Sequence, residues 1–441
     1  MVQEDGSVVE WELVRGSEEA ALSDTSLVWL RPERPRGHRY SASLMSQAVS
    51  LVLSANSSFR GAARSLQILC SEAAEACPSL WSIRNWVLRL GLYELERPKA
   101  VGADWALILD HTIQVGPHKA LLILGVRLGD LKPKHFALGH QDVVVLGLEI
   151  CERSNGQIVL DALEEVREQI GEPRLLVSDA GSDIKKAATL FCERHEHTDW
   201  IADVSHRMAR LLEAELTDDP KWESFLSRAA QCRNQCQQTA LSPLMPPAQR
   251  GKARWMNYQP LVSWGLEVIQ HPIPSWASSR EFKRVFGWLN AYEEELGDCW
   301  MMMHPGQETS RIIKEEGIAA DSMKKCRQLL TERAYGARVC RYADGIREHL
   351  KEVESKLRPG ERLLGSSDIV ESLFGKYKFL MERSPQKAIT RLILAIGALT
   401  SKRTPELIRE AMEAVKMESV ETWFRKYVGE SARSIRQRAF A

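Results

Sequence analysis

Three carboxylates far apart in the chain, Asp110, Asp179 and Glu371, carry the clearest chemical signal. Asp110 ends the apolar run WALILD (105–110) and Asp179 ends RLLVSD (174–179). Each aspartate therefore closes a predicted strand, the place where α/β sheets present ligand groups. Glu371 falls early in a predicted helix, SSDIVESLFGKYKFLMER (366–383), whose Ser366, Ser367 and Asp368 can all cap its first turn. Three hard oxygen donors suit Mg²⁺ or Mn²⁺ rather than zinc. Two such ions roughly 3.5–4 Å apart activate a water or a 3′-hydroxyl and stabilise the leaving oxygen of a phosphodiester. The chain holds 59 acidic residues, so position has to decide among them. Asp183, the main rival to Asp179, reads better as a first-turn residue of the next helix. Glu149 and Asp142 only flank the third strand.

The elements around these residues set the expected architecture. WALILD, KALLILGVRL (119–128) and DVVVLGLEI (142–150) are runs rich in Val, Ile and Leu between polar turns, and they read as three consecutive strands. An amphipathic helix (157–170), the strand ending at Asp179, a helix from Asp183 to Cys192 and a strand WIADV (200–204) follow. Strands apolar on both faces imply a sheet covered by helices. In this βββαβαβ order the first and fourth strands can lie side by side, which would bring Asp110 to Asp179. After His206 the pattern is helical for about 155 residues, and this stretch reads as an all-helical insertion before the helix of Glu371.

Ahead of the first strand, SLMSQAVSLVL (43–53), SSFRGAARSLQIL (57–69) and PSLWSIRNWVLRLGL (78–92) read as three short helices, the outline of a helix-turn-helix module. In the third, Ile83, Val87 and Leu90 would face a core. Ser82, Arg84, Asn85 and Arg89 would face outward, and with Arg60 and Arg64 they are the candidates for reaching phosphates or base edges. A plain three-helix bundle accounts for the same pattern. The expected fold class is thus multidomain α and α/β: an acidic then basic N-terminal segment (1–40), the helical module (41–100), the first part of the α/β core (101–206), the insertion (207–362), and the final helices with a basic tail (363–441).

Lysine and arginine number 59 against 59 aspartates and glutamates, so net charge does not mark a nucleic-acid binder. The distribution does. Residues 31–100 hold ten Lys/Arg against five Glu, and from Gly365 onward fourteen Lys/Arg face nine acidic residues, whereas residues 1–30 hold seven acidic residues and one arginine. Nine scattered cysteines suggest reduced thiols rather than a disulfide framework. Cys232 and Cys236 lie one helical turn apart without a matching pair at finger spacing, so helix-face cysteines are expected. No apolar stretch approaches the roughly 18–20 residues that span a bilayer. The acidic start is unlike a secretory signal, and a cytoplasmic protein acting at the bacterial nucleoid, with no membrane partner, is expected.

The blocks LILDHT, LLVSDAGSD and SSDIVESLFGKYK resemble the three signature blocks of DDE transposases of the insertion-sequence type, over about Trp105 to Met381. That resemblance implies an RNase H-like core interrupted by an all-helical insertion, with Asp110, Asp179 and Glu371 as catalytic residues holding two Mg²⁺ or Mn²⁺ ions. DVSH (203–206) resembles the (C/D)xxH motif of the Mutator-like and hAT-type branches, which would place His206 near the reacting phosphate; a helix-start histidine making a structural hydrogen bond is the competing account. Glu371 and Lys378 match an E-x6-K spacing found in tyrosine-arginine-glutamate-lysine transposases, although Leu364 and Ser367 stand where that tyrosine and arginine would be. Lys376 and Lys378 would then follow a DNA backbone. The resemblance also offers Trp255 as an aromatic platform for a base flipped from the duplex, beside the commoner reading of a core tryptophan. The implied partners are double-stranded DNA, as terminal inverted repeats and target, and a second copy of the chain. An inactive DNA-binding relative, and an RNase H-like nuclease or resolvase without strand transfer, are the alternatives.

Overall fold

A computed structural model describes residues 34–69, 77–113, 118–131, 136–249, 254–330, 336–382, 389–429 and 432–440. Most of the acidic N-terminal segment lies outside them. The core is a mixed five-stranded sheet in the order β3-β2-β1-β4-β5, made of β1 (Trp105–Ile113), β2 (Lys119–Arg127), β3 (Val144–Cys151), β4 (Leu175–Ser178) and β5 (Asp199–Ala202). β1, β2 and β3 form an antiparallel meander; β4 and β5 join β1 in parallel, reached by crossovers.

Strand alternation divides β1 between two cores. Ala106 and Ile108 face one apolar cluster, while Trp105, Leu107 and Leu109 face the other. Helices α4 (Gly156–Ile170) and α5 (Ser182–Arg194) cover the second face, contributing Val159, Leu163, Val166, Ile184 and Phe191. Asn155 caps α4 by accepting from the amides of Gln157 and Ile158 at 2.9 and 3.1 Å.

The three helices before the sheet form as expected, as α1 (Ala42–Leu53), α2 (Phe59–Leu69) and α3 (Leu80–Glu96), but α3 is longer and more enclosed than its periodicity suggests. Ile83, Val87 and Leu90 are buried, and so are Trp86, Leu88 and Leu92. The extra cover comes from chain far downstream.

Between β5 and the helix of Glu371 the regular structure of the described residues is helical: α6 (Val204–Leu216), α7 (Pro220–Cys236), α8 (Gln259–Gln270), α9 (Ser279–Phe286), α10 (Glu293–Glu316), α11 (Ala320–Leu329) and α12 (Ala337–Glu354), joined by loops and short 3₁₀ turns, with one isolated β-bridge at Ile318; this is the segment read as an insertion. α10 is its axis, packing on α6, α8, α11 and α12. Cys232 and Cys236 are buried there among apolar side chains, which push both thiols up, Cys232 to about 12. The chain then returns through α13 (Asp368–Glu382), α14 (Ala395–Thr400), α15 (Pro405–Ala414), α16 (Met417–Tyr427) and α17 (Ala432–Ala439). α14, α15 and α16 pack on α3, and α13 packs on β1. A Cβ on Gly91 would stand 1.8 Å from the Leu394 carbonyl oxygen, and one on Gly397 2.5 Å from that of Gly91, so α3 and α14 cross where only glycine fits.

The insertion leaves and rejoins the core at one place. The Val204 amide donates to the Gly365 carbonyl at 3.1 Å, and Ile318 and Leu363 exchange two backbone hydrogen bonds at 2.7 and 2.9 Å. Below this point, buried Arg174 donates to both oxygens of Glu361 at 2.6 and 2.7 Å and to Asp199 at 2.6 Å, tying the returning segment to the start of β4 and β5.

Candidate active site

Asp110 does not close its strand. β1 continues to Ile113 against β2, with Asp110 opposite Leu122; it is the β4 pairing that stops, at Leu109 opposite Ser178. The expectation for position is corrected, while the juxtaposition holds: the β1–β4 register carries Asp110 and Asp179 to neighbouring places at the end of β4. Asp110 continues the alternation of Ala106 and Ile108, and Asp179 that of Leu175 and Val177, so both belong to the face packed by α13. The His111 amide donates to Asp110 Oδ1 at 2.6 Å, and the Gly181 amide to Asp179 Oδ1 at 3.2 Å. Burial, then the negative charge of Asp179, pushes the Asp110 carboxyl up to about 7, with a smaller contribution from Glu371.

Glu371 projects from the first turn of α13, where Ser366 caps by accepting from the Asp368 amide at 3.2 Å. Its carboxylate lies 3.6 Å from His206 Nε2. Burial pushes Glu371 up; His206 and Lys314 pull it back, and Asp368 and Asp203 oppose them. Among the described residues, no group of three or more His, Cys, Asp or Glu side chains stands close enough together to hold one metal ion. The aspartates are neighbours on the sheet, and Glu371 is engaged with His206 beside them.

Asp203 organises that second half, a role absent from the expected site residues. It caps α6, its Oδ1 accepting from the His206 amide at 2.9 Å and lying 3.2 Å from His206 Nδ1. Its Oδ2 accepts from the Ser367 amide at 2.6 Å and the Ser367 hydroxyl at 3.1 Å. One fully buried carboxylate thereby joins His206 to the start of the Glu371 helix. Burial opposes ionisation of Asp203, but the bonds from His206 and Ser367 outweigh it and hold the carboxyl down at about 2. The Asp203 hydrogen bond in turn lifts His206 to about 9 against the cost of burial. At neutral pH the imidazole is a cation between two carboxylates. The insertion adds one more hold, an ion pair of 2.5 Å from Lys314 on α10 to Asp368 on α13.

The remaining expected residues separate into groups. Arg60 and Arg64 are exposed on α2; Arg84 and Asn85 are half-buried on α3. Arg84 lies 6.0 Å from the Trp81 ring, and burial followed by Arg391 lowers its pKa. Arg89 does not face outward: its Nε donates to the Val415 carbonyl at 2.5 Å and its Nη2 to that of Met412, closing the end of α15, while Nη1 meets His38 Nε2 at 3.1 Å. Three of its five N–H donors are thus engaged inside the protein, which corrects the outward orientation expected of it. Lys376 donates to Asn56 Oδ1 at 2.7 Å, and Lys378 is exposed two turns beyond Glu371. Trp255 is half-buried, edge-on to Tyr258 at 5.4 Å, and lines a cavity of about 470 Å³ with Met208, Met303, Lys314 and Tyr342. Ser205, next to His206 in the chain, lines the same cavity.

No helix among the described residues is long and apolar enough to cross a membrane. No protein-family model matches the chain, and no curated protein matches it in sequence. Among solved structures it is similar to a Drosophila P element transposase strand transfer complex, at 12% identity and a TM-score of 0.43, over 88% of this chain and 97% of that one.

Proposed function

We propose that this chain is a DNA transposase, cutting and rejoining phosphodiester bonds with an RNase H-like core, and that Asp110, Asp179 and Glu371 are its acidic triad. The observation that carries the reading is the Asp110–Asp179 pair: two hard carboxylates that the β1–β4 register brings together, one on β1 and the other just past the end of β4, the first pushed up to about 7 by burial and by the other's charge. Such a pair is costly unless it serves a cation. The sheet order, with an antiparallel meander followed by parallel β4 and β5, and the packing of α13 on the face of the aspartates support the same reading.

The donor set fits Mg²⁺ or Mn²⁺. Asp110 and Asp179 would hold the metal, with Glu371 completing the set once it parts from His206. Two bound ions would supply activation of a water or 3′-hydroxyl and stabilisation of the leaving oxygen. The chain's own residues do the rest. Asp203 keeps His206 protonated and oriented, the imidazolium offsets the three carboxylates, and once Glu371 has parted from it the Nε2 proton would be free to meet a phosphate oxygen. The exposed Arg60, Arg64 and Lys378, together with the half-buried Arg84, Asn85 and Lys376, would bind duplex DNA as element ends and target, and Trp255 would support a displaced base. A dimer holding two ends is part of the proposal.

Strand cleavage of an end-bearing duplex in Mg²⁺ tests it: Asp110→Asn and Glu371→Gln should each abolish product, and a pre-cut end should be joined to target by the native protein. Cleavage without joining would mark a nuclease. The Glu371–His206 contact favours a second reading, a non-catalytic DNA-binding relative in which the pair is permanent. Cleavage lost in both variants but present in the native protein would exclude it.

A further inference from the structure

On β1, the side chains facing α4 and α5 run Trp105, Leu107, Leu109 and then His111. A fourth apolar residue would extend that face at less cost than a polar one. Instead His111, only 11% exposed, meets Ser154 Oγ through Nε2 at 2.9 Å, and its Nδ1 lies 3.8 Å from Asp183 Oδ2. Asp183 Oδ1 accepts from the Ile184 amide at 3.0 Å, and Ser154 and His111 both hold the Asp183 carboxyl below its ordinary value. Three segments meet here: β1 just after Asp110, the loop between β3 and α4, and the first turn of α5 just after Asp179.

His111 lies on the face of β1 opposite Asp110, Asp183 follows Asp179 by four residues, and the cluster is thus covalently next to both aspartates. His111 supplies the amide that donates to Asp110, and Gly181, two residues before Asp183, supplies the amide that donates to Asp179. We infer that Ser154, His111 and Asp183 are positioning residues that fix the two amide donors, and through them the spacing of Asp110 and Asp179 toward a divalent ion. A polar cluster suits the task because its hydrogen bonds and charge pairing favour one geometry, where apolar packing tolerates several. The inference rests on the reading of Asp110 and Asp179 as the ion-holding pair.

The test is Mn²⁺ binding to the full chain, followed by the spin-resonance signal of the free ion, with the folded fraction matched by circular dichroism. Ser154→Ala and Asp183→Asn should each weaken Mn²⁺ affinity about 10- to 100-fold, the range for residues that orient metal ligands from behind. Ser154→Thr, which restores the hydroxyl, should bind within about twofold of the native protein, and Asp110→Asn should abolish binding. Unchanged affinity in Ser154→Ala and Asp183→Asn, with Asp110→Asn still inactive in binding, would overturn the positioning role alone. Equal weakening in Ser154→Ala and Ser154→Thr would also overturn it. Absence of binding to the native protein would overturn the ion-holding reading and this inference together.

Discussion

Replacing Asp110 with asparagine should stabilise the folded protein at pH 8 while removing cleavage. The Asp110 carboxyl is raised from 3.8 to about 7 by burial and then by Asp179. A carboxyl with a folded pKa above its unfolded value opposes folding when it ionises. Below about pH 4 it is protonated in both states and costs nothing. Between about pH 4 and 7 the unfolded chain releases the proton that the folded state retains, so stability falls as pH rises; above 7 the penalty is complete, roughly 4 kcal/mol. Asparagine is neutral throughout and still offers an oxygen to the His111 amide. The stability difference between Asp110→Asn and the native protein should therefore be near zero at pH 4 and grow to about 4 kcal/mol at pH 8. In a chain this long, that corresponds to ~1 °C of Tm for each kcal/mol if it melts as one unit. Urea unfolding at pH 4, 6 and 8 in EDTA measures it. Saturating Mg²⁺ should narrow the gap at pH 8, because an ion that binds only the folded native protein stabilises it, by ~2.7 kcal/mol at one hundred times its Kd. A destabilised Asp110→Asn at pH 8, or a gap independent of pH, would refute the account of the pair.

Asp203→Asn should cost about 2 kcal/mol at pH 6 and let the His206 pKa fall from about 9 toward 6.5, read by NMR titration of the ring. Because His206 is raised, that contribution is whole below pH 6.5 and lost as pH rises through about 9; because Asp203 is depressed, it is also lost as pH falls from 3.8 through about 2. A penalty as large at pH 10 as at pH 6 would contradict the pairing. Arg174→Met should cost about 3 kcal/mol by leaving Asp199 and Glu361 without their cation, and Arg174→Met with Glu361→Leu should recover much of it; thermal melts decide. Arg89→Ala should lower stability by about 2 kcal/mol with no change in the salt dependence of DNA binding. Arg60→Ala or Arg64→Ala should lower the slope of log K against log salt by about 1 without altering stability, and the reverse pattern would restore Arg89 to the DNA surface.

What was legible in the sequence is what local pattern encodes. The runs ending near Asp110 and Asp179 are apolar on both faces because both faces of the sheet are covered, so strand identity followed from composition, while the element order only allowed the β1–β4 pairing that the structure shows. His111 to Ile113 extend β1 without an apolar pattern, because the pairing to Lys119, Ala120 and Leu121 decides the strand there. Arg89 illustrates the same limit: helical periodicity places it off the core face of α3, but the carbonyls that claim it belong to α15. DVSH marked His206, whereas Asp203 acquires its second partner from Ser367, across the whole insertion. Gly91 and Gly397 are ordinary in a helical pattern and become necessary only where α3 and α14 cross.

The site's two halves have different mechanical standing, and this explains why the carboxylates do not close on one another. Asp110 and Asp179 are anchored in or beside a sheet buried on both faces. His206 and Glu371 sit where the insertion begins and ends, on α6 and α13, joined by Asp203 and Ser367 and held from α10 by Lys314. A long insertion whose ends already meet adds little to the entropy of loop closure, but any shift of α10 reaches α13 through Lys314 and Asp368. If Asp110, Asp179 and Glu371 hold an ion as proposed, drawing Glu371 from His206 should load the boundary between α6 and α13 and leave the sheet undisturbed. Amide hydrogen exchange on adding Mn²⁺ should change around 203–207 and 366–372 and in α10 near Lys314, while β1 and β4 stay protected throughout. Changes confined to the sheet would place the moving part with the aspartates, and the division into a fixed pair and a mobile arm would fall.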